Sequence, residues 1–252
     1  MQLTVIGAGP AYTDRPDSSG AAYLLRSGQT SILVDFGQGS FPRLAARIEP
    51  SSLTAVLVSH LHPDHFIDLV PLRHYLRYEF DPPRRVRVIG PAAMSQRLDA
   101  LLGQPGFTSE TLDCEPLASF VGEPIPLGEM TAEARLVTHT DESYGFRLAF
   151  SAGDRPGLIY SGDCGRADDL APLIRPGDTL LSEISFGAGP VVPGALHLDG
   201  PVVGTLAATR GAGRVLLTHL QMGFDADAAV NSVRARFDGP VELVSPGDDF
   251  DV

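Results

Sequence analysis

Short apolar, β-branched runs recur along this chain between stretches of Gly, Pro and polar residues. Runs bounded by turn-forming residues read as strands. They fall over 3–6, 22–26, 31–35, 55–58, 87–89, 132–137, 144–150, 158–160, 179–181, 215–217 and 241–244. A helical rhythm of apolar positions, with start and stop signals, predicts helices over 42–47, 67–78, 92–102, 168–174, 200–210 and 226–237. Strands dominate the first third and then alternate with helices. That order predicts an α/β arrangement with sheets in the middle and helices outside. The stretch 103–128 follows neither rhythm and reads as loop-rich cover. No internal repeat or low-complexity tract interrupts the pattern.

Length and composition add bounds. A chain of 252 residues, 43% hydrophobic, fits one domain over 1–252 with a well-buried core, and two small domains also fit. No apolar run approaches the roughly 20 residues of a membrane helix. The opening Met1-Gln2-Leu3-Thr4-Val5-Ile6-Gly7 lacks the basic region of a signal peptide and reads as a first strand. A cytoplasmic protein without a membrane partner is expected. Nineteen basic residues against 31 acidic ones leave a net charge of −12. That disfavours nucleic acid as a partner, because non-specific backbone binding rests on basic surface. Every basic residue is arginine, which excludes a Schiff-base lysine and a Walker-type phosphate loop. Two cysteines, Cys114 and Cys164, make no disulfide scaffold. Cys164 follows Asp163 but reads as a small buried residue rather than a thiolate ligand.

The histidines carry the chemistry. Ser59-His60-Leu61-His62-Pro63-Asp64-His65 packs four ligand-type side chains into six residues. His139, His197 and His219 follow singly, with a carboxylate at Asp163. Imidazoles and carboxylates together suit zinc, manganese or iron. Histidines at i and i+2 around a tight turn can face one ion, an Asp-His pair two residues on can face a second, and a distant carboxylate can bridge them. A helix starting near Phe66 would bring its N-terminal N–H groups close to Asp64. His60, His139, Asp163 and His219 each stand just after a predicted strand, so strand ends can bring them to one rim. Asp35 is expected to brace the metal loop rather than to bind metal. His74, Arg73 and Arg77 are expected on a helix face.

His60-x-His62-x-Asp64-His65 resembles the signature of the metallo-β-lactamase superfamily. Asp35-Phe36-Gly37, Thr138-His139, Ser161-Gly162-Asp163 and Leu217-Thr218-His219 follow the same order over nearly the whole chain. The resemblance implies an αββα sandwich with two divalent cations, zinc first and manganese or iron as alternatives. It implies that His60, His62 and His139 hold one cation, that Asp64, His65 and His219 hold the other, and that Asp163 bridges them. Ser143-Tyr144-Gly145-Phe146-Arg147, Ser182-Glu183-Ile184-Ser185-Phe186, the isolated His197 and the opening Gly7-Ala8-Gly9-Pro10 are similar to the ribonuclease Z and cyclic-nucleotide phosphodiesterase branch. The ribonuclease Z arm that grips tRNA is inserted between the third histidine motif and the bridging aspartate. Here only 23 residues separate His139 from Asp163, most of them reading as a hairpin.

The expected function is therefore hydrolysis of a small phosphodiester, such as a cyclic mononucleotide, by a hydroxide shared between two metals. Asp64 would orient that nucleophile, His197 would stabilise or protonate the leaving side, and Glu183 would hold His197. The alternatives are a ribonuclease Z-like tRNA 3' endonuclease, a lactonase or thioesterase, and a non-catalytic metal-stabilised module. A homodimer is compatible with the family likeness.

Overall fold

The computed structural model describes residues 1–120 and 122–252. Two seven-stranded sheets face each other. The first runs β14 (Asp249–Asp251), β1 (Gln2–Gly7), β2 (Ala22–Ser27), β3 (Thr30–Val34), β4 (Ala55–Leu57), β5 (Val86–Gly90) and β6 (Leu112–Pro116). The second runs β13 (Val241–Leu243), β12 (Arg214–Thr218), β11 (Thr179–Glu183), β10 (Leu158–Tyr160), β9 (Tyr144–Phe150), β8 (Met130–Leu136) and β7 (Ile125–Leu127). Each sheet has an antiparallel part followed by a parallel one: β3 to β6 are parallel, and so are β10 to β13.

The alternation along each strand explains the layers. In β2, Tyr23 and Leu25 face the opposite sheet, while Ala22 and Leu24 face outwards. The outward face is covered by α1 (Phe41–Ala45), α2 (Pro63–Phe66), α3 (Leu69–Tyr78) and α4 (Met94–Leu102). On the second sheet, Ile159, Leu180, Val215 and Leu217 turn outwards. They are met by α5 (Ala167–Leu170), α6 (Gly200–Arg210) and α7 (Ala226–Arg234). Because both faces of the central strands are buried, these strands read as continuous apolar runs. Asp199 and Asp225 cap α6 and α7 by accepting from Val202 N and Ala228 N. The result is an αββα sandwich.

Three strands differ from expectation. β6 and β7 lie in the stretch expected to be loop, and β14 closes the first sheet against β1. Val121, within that same stretch, lies outside the described residues. The expected helix over 67–78 begins only at Leu69, and a separate turn of helix, α2, precedes it. Among the described residues no helix is long and apolar enough to cross a membrane.

One ion pair staples the second sheet from within. Arg147 on β9 meets the fully buried Asp178 through two contacts, Nε to Oδ2 at 2.8 Å and Nη2 to Oδ1 at 3.0 Å. Gly157 N and Arg175 N donate to the same carboxylate. Arg147, the last residue of the segment 143–147, thus serves the scaffold. Removing one partner of a buried pair leaves the other charge uncompensated. Asp178→Ala should therefore lose roughly 3–5 kcal/mol of stability in denaturant unfolding, and an unchanged midpoint would refute this role.

Candidate metal centre

The rim formed by strand C-terminal ends gathers every expected ligand. Asp35 follows β3, His60 follows β4, His139 follows β8, Asp163 follows β10 and His219 follows β12. Asp64 and His65 sit in the first turn of α2, with Pro63 at its start. The sequence predicts a helix start near Phe66, with Asp64 ahead of it; instead Asp64 and His65 both lie inside this turn, and the longer helix begins at Leu69. The turn is held from the first sheet: Ala21 N donates to Asp64 O, and Phe36 N to His65 O. Gly37 lets that contact form, since a Cβ there would stand 1.9 Å from Asp64 O. Gly162, at φ +56°, turns the chain into Asp163. Asp35 and His219 also take left-handed backbone conformations, φ 58° and 59°. Non-glycine residues there are uncommon and cluster at functional sites.

Two groups of side chains meet at Asp163. His60 Nε2 and His139 Nε2 each lie 3.1 Å from His62 Nδ1. They stand 3.7 and 3.6 Å from Asp163 Oδ2. On the other side, His219 Nε2 lies 3.1 Å from Asp64 Oδ2 and 3.3 Å from His65 Nε2. His65 Nε2 and His219 Nε2 stand 3.4 and 3.5 Å from Asp163 Oδ1. The two carboxylate oxygens of Asp163 thus address different groups.

These spacings fit cations. Ligand atoms about 2.0–2.1 Å from a tetrahedral ion stand roughly 3.3–3.4 Å apart, close to the distances seen in both groups. The outer ring nitrogens are already engaged: His65 Nδ1 with Asp35, 2.7 Å, and His139 Nδ1 with Leu196 O, 2.8 Å. Such outer partners fix which nitrogen faces a metal. Asp163 Oδ1 is buried and accepts no hydrogen bond, the kind of orphan that a cation satisfies. Burial opposes ionisation of Asp163, but the charges of His219 and His65 outweigh it and hold its pKa well below the usual carboxylate range. Asp64 is likewise held low, its burial outweighed by the neighbouring His219 and His65. Burial lowers the pKa of His60, and the neighbouring His65 lowers it further.

His197 lies beside the cluster. Its ring centroid is 4.8 Å from that of His139, and its Nδ1 is 3.0 Å from Glu183 Oε1. Nδ1 also comes within 4.0 Å of Asp163 Oδ2, so His197 could reach the same centre. Its commitment to Glu183 speaks for a separate role. Burial works against protonation of His197, but the hydrogen bond and charge of Glu183 more than offset it, so its pKa is raised. Glu183 is itself fixed by Cys164 N, Leu198 N and Ser185 N.

The structure leaves other candidates outside. His74 Nδ1 donates to Val70 O within α3, while Arg73 and Arg77 pair with Glu110. Cys164 is a buried thiol pushed up to about 12 by burial. Ser59 and Ser185 touch the ligand histidines and went unnoticed in the sequence, where a serine carries no signal of its own. Beside His62 a cavity of about 330 Å³ opens between Leu61, Pro91, Arg97, Asp141 and Glu142.

Comparison with known proteins places the chain. The model of the beta-lactamase superfamily domain matches residues 30–220. The uncharacterized protein ML1173 of Mycobacterium leprae is 37% identical over 258 residues, covering 100% of this chain and 89% of that one. A ribonuclease Z of Mycobacterium bovis is 28% identical over 203 residues, covering 73% of this chain and 70% of that one. The crystal structure of the metallo-beta-lactamase fold protein YhfI from Bacillus subtilis superposes with a TM-score of 0.86 at 24% identity, covering 99% of this chain and 98% of that one.

Proposed function

This chain belongs to the beta-lactamase superfamily, and from its site we propose a metal-dependent phosphodiesterase that hydrolyses a small diester such as a cyclic mononucleotide. The observation that carries the reading is His197, whose Nδ1 is held by Glu183 at 3.0 Å and stands farther, 4.0 Å, from Asp163, where it could otherwise join Asp163 and His219. A hydrolase acting on a diester needs a group on the leaving side as well as a nucleophile.

His60, His62 and His139 would hold one divalent cation and Asp64, His65 and His219 the other, with Asp163 shared. Zinc is the first choice for this donor set, with manganese or iron as alternatives. When bound, the cations supply Lewis acidity and a nucleophile at neutral pH. The chain's own groups do the rest. Asp64, kept ionised by His219, offers an acceptor for the nucleophile's proton. His197 donates a proton to the departing alkoxide or a hydrogen bond to the phosphoryl oxygens, and Glu183 balances the charge on its ring. The cavity beside His62 has room for the small organic part of such a diester.

Two features weigh against a tRNA substrate. The 23 residues between His139 and Asp163 contain the antiparallel pair β9–β10, which leaves no long arm. The net charge of −12 repels a polyanion. The test is metal-reconstituted protein assayed side by side on cyclic AMP, an acyl-lactone and tRNA precursor. Preferential cyclic AMP turnover is expected. Faster lactone opening, or cleavage of tRNA precursor at physiological salt, would reject the proposal.

A further inference from the structure

One arrangement occurs twice around this centre, built each time from a buried carboxylate, a buried serine hydroxyl and a histidine. Ser59 Oγ stands 2.8 Å from Asp35 Oδ2 and 3.1 Å from His60 Nδ1. Ser185 Oγ stands 2.5 Å from Glu183 Oε2 and 3.1 Å from His219 Nδ1, with His197 Nδ1, already held by Glu183, at 3.2 Å. Both serines are fully buried. Asp35 also accepts from Ser59 N, His65 Nδ1 and Tyr160 OH, and Glu183 from three backbone N–H groups and His197. Both carboxylates act as acceptors throughout.

Counting protons then fixes the rings. A serine hydroxyl has one proton, and the carboxylate at the shorter distance takes it. The serine oxygen is left to accept, so the facing Nδ1 must carry a proton. In a neutral imidazole the other nitrogen, Nε2, is then bare. Nε2 is the atom that His60 presents to His62 and Asp163, and that His219 presents to Asp64 and His65.

We infer that Ser59 and Ser185 are paired positioning residues, each relaying a buried carboxylate to one histidine and so aiming a bare Nε2 at the metal centre, Ser59 in the first ligand group and Ser185 in the second. Asp35 thereby reaches both groups, His65 directly and His60 through Ser59. Glu183 holds His197 directly and His219 through Ser185. Neither serine touches the reacting atoms. The inference rests on the reading that these groups bind cations, and its test separates the two.

The full chain, depleted of metal by chelation, is examined with Ser59→Ala and Ser185→Ala by two measurements. Imidazole ¹⁵N shifts at about pH 9, where unperturbed imidazole is neutral, report the tautomer of each ring. Stepwise Co²⁺ titration against a competing chelator reports each site. In the unaltered chain, Nδ1 of both His60 and His219 is expected to carry a proton. Ser59→Ala should release His60 into a tautomer mixture and leave His219 unmoved, and Ser185→Ala should do the reverse. Each variant should weaken one of the two Co²⁺ steps by about 10–100-fold and spare the other, in line with loss of an outer partner. A serine that only fills space would lower the melting temperature without moving a tautomer. Unchanged tautomers, or changed tautomers with both Co²⁺ affinities intact, would overturn the relay. An unaltered chain that binds no Co²⁺ would overturn the metal reading instead, while its ¹⁵N shifts still decide the proton arrangement.

Discussion

Asp163→Ala is expected to bind metal at least about 100-fold more weakly than the unaltered chain, beyond the range for losing an outer partner, and to lose its turnover with it. The reason is the division of labour within one carboxylate. Oδ2 stands 3.6–3.7 Å from His139 and His60, and Oδ1 stands 3.4–3.5 Å from His65 and His219. Removing it takes a ligand and a negative charge from both groups. His62→Ala removes a ligand from one group alone, so it should spare the other. Asp163→Asn is the closer control, because it keeps the volume but neither the charge nor the second acceptor oxygen. Metal analysis after gel filtration measures stoichiometry, and thermal melting confirms that each variant folds. Full stoichiometry in Asp163→Ala would remove Asp163 from the bridging position.

The parts of this centre that could be read from the sequence are those whose ligands are local. His60, His62, Asp64 and His65 announce themselves because one turn geometry serves four ligand types at fixed spacing. Asp163 and His219 were legible through position, since each follows a short apolar strand that the two-faced burial of a sandwich makes conspicuous. What could not be read depends on distances between remote segments. Ser185 lies 3.1 Å from His219 Nδ1 across 34 residues of chain, and no spacing rule connects them. Arg147 likewise finds its buried partner, Asp178, 31 residues along the chain.

The strands missed in the stretch 103–128 fail for a related reason. β6, Leu-Asp-Cys-Glu-Pro, has little apolar alternation and lies at a sheet edge. It is held in part by Arg85 with Asp113 and Arg87 with Glu115. Such cross-strand pairs stabilise a sheet only once the register is set. β7 and β14 are three residues each, too short to show a period of two.

His197→Ala is expected to keep both cations and to lose turnover of a phosphodiester such as bis(p-nitrophenyl) phosphate by about 10²–10⁴-fold, the contribution typical of a positioned general acid or base. Retention of metal follows from geometry. His197 Nδ1 is spent on Glu183 at 3.0 Å and stands 4.0 Å from Asp163 Oδ2, so neither ligand group loses a member. Loss of turnover follows from the proton inventory. Asp64 is held ionised, which makes it an acceptor, and His197 is the group beside the cluster whose pKa is raised by a carboxylate partner that is not itself a proposed ligand. Glu183→Gln is the closer control, because it keeps the volume but neither the charge nor the second acceptor oxygen. It should lower kcat less than His197→Ala and, through Ser185, weaken the metal step that His219 serves. A diester whose leaving group is already a weak base needs less proton donation, so the His197→Ala deficit should be smaller for p-nitrophenyl esters than for an alkyl leaving group. Equal deficits for the two would leave His197 as a stabiliser of phosphoryl charge, and loss of one cation in His197→Ala would make it a ligand instead.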